Sequence, residues 1–401
     1  MAEEHFGDLV FFENREHLIA MMSAPLRVGI IGCGNVTVDN HIPALLTLEG
    51  VEVVAVSDPV EARRKQAMAL LGLSAEAEFE THSTMLDARL DYALVAVPPT
   101  FRRDIILDCA RQHVHVLSEK PLTTRPVDSQ TSIRSMEAAG LKFGMVHNYL
   151  YISEYVQLRQ LINSGEIGSV RHLTLNFLGV PDNPGSQDYR PRWRHDPEVS
   201  GGGVLMDMIH VMYVAEYLMG DKIEAISAAI DKSGNSISVV EDLALVHLSF
   251  PNGYVTINIG WGHGPGGVEI TGEDGRILLF YHDYLTGPFA PLDTITLFNE
   301  RGRQEIIPAP PRSDREIFAA VHQDFVNAIR ENHVPVAPAS VGQRVLEATL
   351  GAYASAVQGC VISLPLVLDN PVYLQGLAGL DALIIRGDGR LAKTGVFDIP
   401  T

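Results

Sequence analysis

Five apolar runs punctuate residues 26–148: LRVGIIG (26–32), VEVVAVSD (51–58), DYALVAVPP (91–99), HVHVLSEKP (113–121) and KFGMVHN (142–148). Their near-continuous apolar character marks strands buried on both faces, as in a parallel sheet. VEARRKQAMALLG (60–72), TFRRDIILDCARQ (100–112) and RPVDSQTSIRSMEAAG (125–140) read as helices between them. The last has Pro126 in its first turn and Gly140 at its end, the order helices prefer. Such strand–helix alternation predicts a doubly wound α/β sheet.

The pattern changes near residue 150. A helix (153–165) leads into the strand SVRHLTLNFLG, a Pro- and Gly-rich loop (180–203) and a helix over 204–219. From Ile223 to Ile307, strands are joined by the hairpin signals SFPNGYV, TGEDGRI and FNERGRQ, which predict a large, mostly antiparallel open sheet in an α+β domain. Helices follow over 313–332, with Ser313 and Glu316 as a capping box, and over 339–359. A chain of 401 residues exceeds one compact core. The expected division is 1–25 as an arm or misassigned start, 26–149 as a dinucleotide-binding domain, 150–365 as the α+β domain, and 366–401 as a tail.

Thirty Lys and Arg against 49 Asp and Glu leave a net charge of −19, a field that repels phosphate backbones and anionic lipid. No apolar run is long enough for a bilayer. The expected partner is therefore a small molecule, with no nucleic acid and no membrane. Cys33, Cys109 and Cys360 are widely spaced, which argues against a disulfide framework or zinc cluster and points to a reducing cytoplasm. His113 and His115 share a strand face but lack further ligands at metal spacing, so no metal is expected. Residues 1–25 are acidic, with Glu3, Glu4, Asp8, Glu13 and Glu16, unlike an export signal; Met21 or Met22 is an alternative start.

VGIIGCGNVT carries a dinucleotide fingerprint. Gly32 allows the tight turn out of the first strand, and Gly34 allows backbone amides to approach a pyrophosphate. Asn35 and Val36 lead into a helix whose N-terminus favours anions. Thr37 stands where Gly or Ala is usual. Asp58 ends the next strand, where it accepts hydrogen bonds from ribose hydroxyls and repels a 2′-phosphate, so NAD is the expected cofactor. Arg63 and Arg64 in the following helix keep NADP as an alternative.

With GIIGCGN and Asp58, the segments SEKP (118–121), SGEIGSV (164–170), GGGVLMDMIH (201–210) and VVEDLALVHLSFPNG (239–253), followed by Trp261, resemble the Gfo/Idh/MocA oxidoreductase family over residues 26–365. The resemblance implies that Lys120 lies beside the nicotinamide and contacts the substrate hydroxyl. It implies that Glu119 bonds the nicotinamide ribose and that a cis bond before Pro121 aims Lys120 inward. It further implies that His210 takes the hydroxyl proton with Asp207 assisting. Family members space these two by four residues. Three residues separate them here, which turns Asp207 about 100° from its expected direction unless the helix changes pitch. Where the family has P-N-x-x-H, this chain has Pro98, Pro99 and Arg102; Pro98 and Pro99 are expected to line the nicotinamide pocket. His41 matches a family histidine and reads as structural.

Asn148 and Tyr149 are expected near the nicotinamide site. Tyr189, Arg190, Arg192, Trp193, Arg194 and His195 form a basic, aromatic patch suited to stacking on a sugar, with an Arg fixing a carboxylate or phosphate. Asp242 and Trp261 read as sheet and core residues. The whole reads as an NAD-dependent oxidoreductase for a secondary alcohol or ketone of a sugar, inositol or related polyol, assembled as a homodimer or homotetramer. The alternatives are an enzyme of the same fold that oxidises transiently on the way to glycoside cleavage or elimination, and a non-catalytic nucleotide-binding regulator.

Overall fold

The structure is a computed structural model that describes residues 24–181, 192–232, 240–262, 264–281, 292–380, 383–385 and 391–393. Almost all of the expected arm, most of the segment beyond 380, and Tyr189 and Arg190 lie outside the described residues.

Strands β1 (Leu26–Ile31), β2 (Val51–Ser57), β3 (Glu78–Phe79), β4 (Tyr92–Val95), β5 (His115–Ser118) and β6 (Phe143–Met145) form an all-parallel sheet in the order β3-β2-β1-β4-β5-β6. Successive side chains point to opposite faces, so each strand fills two cores. Ile31, Ala93, Val95 and Val116 pack with helices α1 (Pro99–Arg111) and α2 (Pro126–Ala138) through Ile105, Ile106, Cys109 and Met136. Val28, Ile30, Tyr92 and Leu94 pack on the other face. Their cover includes Ile317, Phe318, Val321 and Phe325 of a helix some two hundred residues downstream (Asp314–Arg330), which begins with the expected Ser313–Glu316 capping box. A segment beyond residue 150 thus completes the first sheet.

The second sheet has nine strands: β7 (Val170–Val180), β8 (Ala225–Asp231), β9 (Leu243–Phe250), β10 (Gly253–Trp261), β11 (Gly266–Gly272), β12 (Arg276–Tyr281), β13 (Leu292–Asn299), β14 (Gly302–Ile306) and β15 (Ile362–Ser363). Their order is β14-β13-β12-β11-β7-β10-β9-β8-β15; only the central β7–β10 pair is parallel. In β9, Ala244, Val246, Leu248 and Phe250 face inward, while Leu243 and Leu245 face out. The inward face joins the core formed with Val211, Met212, Val214 and Leu218 and with Leu346 and Leu350. Residues 371–375 form a short helix with Val372 and Tyr373 buried, so the expected tail begins as packed structure.

One helix differs from expectation. Residues 204–219 are not continuous: α3 (Val204–Asp207) ends at Met208, and α4 (His210–Met219) starts afresh. Among the described residues, no helix is long and apolar enough to cross a membrane.

Candidate active site

A cavity of about 1170 Å³ opens at the carboxyl ends of β1, β2, β4 and β5 and reaches the break between α3 and α4. Its walls include Gly32, Gly34, Asn35, Val36, Asp58 and Pro98 at one end. At the other stand Glu119, Lys120, Asn148, Tyr149, Asp207 and His210, with Trp193 and Arg194. The structure therefore brings these proposed residues together; Pro99, expected beside Pro98 on the nicotinamide wall, is instead buried as the first residue of α1, and His195 of the expected patch does not line the cavity.

The nucleotide end is built by backbone demands. Gly32 has φ +99°, and a Cβ there would lie 2.4 Å from the Ala96 carbonyl oxygen, so only glycine fits. A Cβ on Gly34 would meet nothing within 4 Å, which leaves room for a phosphate. Thr37 earns its place differently from the usual Gly or Ala, donating its hydroxyl to the Gly32 carbonyl at 2.7 Å. Asp58 accepts from the amides of Cys33 and Val60, each at 2.8 Å, which fixes its carboxylate at the rim. The residues present fit an NAD molecule: a glycine turn, an open backbone cradle and an acid at the adenosine end.

Arg63 and Arg64 face the loop itself. Arg63 donates to the Cys33 carbonyl at 2.8 Å and to Asn35 Oδ1 at 3.1 Å. Arg64 donates to the Asp58 carbonyl at 2.6 Å and pairs with Glu78 at 3.0 Å. Neither is a spare cation for a 2′-phosphate. Asp58→Asn is expected to narrow the preference for NADH over NADPH by about tenfold, by removing a like-charge repulsion. Fluorescence titration with the two nucleotides measures this; an unchanged ratio would take Asp58 out of the discrimination.

At the chemical end, β5 delivers Glu119 and Lys120, and the Lys120–Pro121 bond is cis. Arg102, buried at 3 % exposure, donates to the carbonyls of Glu119 and Pro121 and to that of Val97 at 2.8 Å. The residue standing in place of the family histidine thus clamps the turn on both sides of Lys120. Burial lowers the Arg102 pKa to about 10, opposed by Glu119.

Lys120 Nζ donates to the Asp207 carbonyl at 2.7 Å and lies 3.6 Å from Asp207 Oδ1. Arg194 Nη1 lies 3.7 Å from the same oxygen. The expected 100° offset of Asp207 does not arise, because the helix break separates it from His210. At the break the Asp207 carbonyl accepts from Lys120, and the Val211 amide donates to the Met208 carbonyl at 3.1 Å. Upstream, Glu241 anchors α3 by accepting from the Gly203 and Leu205 amides at 2.9 and 3.1 Å and from the Tyr353 hydroxyl at 2.5 Å.

His210 stacks on Tyr149, ring centres 4.2 Å apart, and its Nδ1 lies 2.5 Å from the Tyr213 hydroxyl. Burial, then the charges of Lys120, His147 and Arg194, push its pKa well below the ordinary value. Burial opposes ionisation of Asp207. Arg194 and Lys120 outweigh it, with the Trp261 indole beside the carboxylate, and its pKa falls. Trp261 is the buried core residue expected, and its ring also lies against His195, ring centres 5.3 Å apart. His41, expected as structural only, lies 3.2 Å from Glu119 Oε1. Tyr213 was legible in principle, three residues after His210 and so on its helix face; Arg102 as a clamp carried no local signal.

Models of two known domains match this chain. The oxidoreductase family with an NAD-binding Rossmann fold matches residues 26–147, and the GFO/IDH/MocA C-terminal domain matches residues 155–278. Inositol 2-dehydrogenase 2 of Saccharopolyspora erythraea is 30% identical over 286 residues, 67% of this chain and 77% of that protein. A dTDP-3,4-didehydro-2,6-dideoxy-alpha-D-glucose 3-reductase of Streptomyces antibioticus is 28% identical over 317 residues, 78% of this chain and 90% of its own. Among solved structures, levoglucosan dehydrogenase in complex with NADH and levoglucosan superposes with a TM-score of 0.72 at 19% identity, over 85% of this chain and 100% of that one. The chain belongs to the GFO/IDH/MocA family of NAD-binding, Rossmann-fold oxidoreductases.

Proposed function

We propose that the protein is an NAD-dependent dehydrogenase or ketone reductase acting on a ring carbon of a sugar, inositol or related polyol. The observation that carries this is the convergence of Lys120, Asp207 and His210 at the far end of the cavity that begins at Gly34 and Asp58. Bound NAD supplies the hydride acceptor or donor; the chain positions the substrate and handles the proton. Lys120, held between Asp207 and the clamped turn, directs its ammonium at the substrate oxygen. With Nδ1 of His210 engaged by Tyr213, Nε2 is the nitrogen that meets the hydroxyl and takes its proton in oxidation. Trp193 offers a flat face, and the Arg194 guanidinium lies 5.4 Å over its ring. Two cations share the Asp207 carboxylate, which favours a substrate with one anionic group beside its hydroxyls. Three free thiols fit a cytoplasmic protein, and the exposed Leu245 and Tyr254 on the open sheet fit a homodimer or homotetramer.

The test is incubation of purified protein with NAD⁺ and a panel of neutral and acidic sugars and polyols, followed by NADH absorbance. Steady NADH release with at least one member is expected; none with any, in either direction, would end the dehydrogenase reading.

The pH profile follows from the site. Because the His210 pKa is depressed, its basic form persists to lower pH. The acid limb of kcat/KM for oxidation is expected below the ordinary histidine value of about 6.5. Burial lowers the Lys120 pKa, Asp207 opposing and Arg194 adding, so the cation is lost early as pH rises. The alkaline limb is expected below the ordinary lysine value of about 10.4. An acid limb above 6.5 would remove His210 as the base.

A further inference from the structure

Behind Glu119 runs a line of three buried groups. Glu119 Oε1 lies 3.2 Å from His41 Nε2, His41 Nδ1 lies 2.9 Å from His322 Nε2, and His322 Nδ1 lies 3.2 Å from the Tyr92 hydroxyl. His41, His322 and Tyr92 are each 0 % exposed. The line crosses from the cavity wall, through the end of the helical turn Thr37–His41, to the helix Asp314–Arg330 and back to β4. Phe318 meets His41 edge-on and Phe325 meets Tyr92 edge-on, so apolar rings enclose it.

Its polarity follows from hydrogen-bond accounting. A buried phenol hydrogen needs an acceptor, and the partner of Tyr92 is His322 Nδ1. That ring then carries its proton on Nε2 and donates to His41 Nδ1. His41 in turn carries its proton on Nε2 and donates to the carboxylate. Every nitrogen is satisfied with one proton per ring. The other Glu119 oxygen accepts from the Lys120 amide at 2.9 Å. Burial works against ionised Glu119, but the His41 bond and the neighbouring charges outweigh it.

We propose that His41 and His322 are positioning residues for the cofactor: with Tyr92 they form a one-way hydrogen-bond chain that fixes the Glu119 carboxylate for the hydroxyls of the nicotinamide-side ribose. This rests on the NAD-binding reading of Glu119. The consequence is that a helix far along the sequence sets affinity at the ribose nearest the chemistry. A donor lost at His322 leaves His41 Nδ1 without its partner, so the ring is held by its bond to Glu119 alone and the carboxylate loses its fixed direction.

ADP, ADP-ribose and NAD⁺ separate this role from a general structural one, because ADP lacks the second ribose. In the full-length protein, His322→Leu is expected to weaken NAD⁺ and ADP-ribose by about tenfold, with ADP unchanged. His322→Gln, whose amide can both donate to His41 and accept from Tyr92, is expected to bind all three like wild type. ¹⁵N spectra of ring-labelled protein, assigned with His41→Asn and His322→Gln, are expected to show protonated Nε2 and bare Nδ1 at both histidines. A protonated Nδ1 on His41, or equal weakening of ADP, overturns the proposal, and the spectrum decides it even if His322→Leu fails to fold. Glu119→Ala isolates the reading beneath it: unchanged ADP-ribose affinity would remove the ribose contact while leaving the chain's polarity intact.

Discussion

Lys120→Ala is expected to lower kcat/KM by about 10³-fold while NAD⁺ still binds. Nζ bridges two elements, contacting the carbonyl and, more distantly, the carboxylate of Asp207 from a turn that Arg102 holds on both sides. Its removal deletes the charge proposed to face the substrate oxygen and leaves the half-buried Asp207 carboxylate paired with Arg194 alone among its two cations. Both losses fall on the chemical end of the cavity. The cradle at Gly32, Gly34 and Asp58 lies at the other end and keeps its own bonds. Steady-state kinetics with the best substrate from the sugar panel, alongside nucleotide titration, measures the two effects separately. Undiminished turnover would remove Lys120 from the mechanism; loss of NAD⁺ affinity in proportion to turnover would make it a cofactor residue only.

The parts of this site legible in the sequence are those specified by local chemistry. Gly32 must be glycine for its own φ, and VEVVAVSD must end at a polar residue where the strand leaves the core. Hairpins at PNG, EDG and ERG punctuate the second sheet, and the pairings β9–β10, β11–β12 and β13–β14 follow them. The three-residue spacing of Asp207 and His210 hinted at a change of pitch, but the break itself was not legible, because VLMDMIHVMYV carries no Gly or Pro to mark it. Lys120, 87 residues away, meets the chain at the break by donating to the Asp207 carbonyl. The same holds for His41 and His322, which meet across 281 residues. Nothing in the sequence around His41 distinguishes a histidine that packs from one that reaches Glu119.

The anchoring of α3 makes Gly203 an exacting position at the chemical end of the cavity. Its amide donates to both oxygens of Glu241, 3.0 and 2.9 Å away, and a Cβ there would stand 2.2 Å from the Glu241 backbone oxygen. Backbone cannot yield as a side-chain tip can, so α3 must move away from the loop that holds it. Gly203→Ala is expected to cost about 3 kcal/mol of stability, the upper end for overpacking, read by thermal or denaturant unfolding. A displaced α3 carries Asp207 with it and loosens Lys120, so turnover is expected to fall about 10²-fold even where the protein remains folded. Glu241→Gln tests the same anchor without adding bulk. One amide oxygen still accepts from Leu205 or Gly203, and the Tyr353 hydroxyl loses its carboxyl partner at 2.5 Å. If Gly203→Ala were as stable and active as wild type, Asp207 would owe its direction to Lys120 alone, and the anchor at Glu241 would have no part in setting the site.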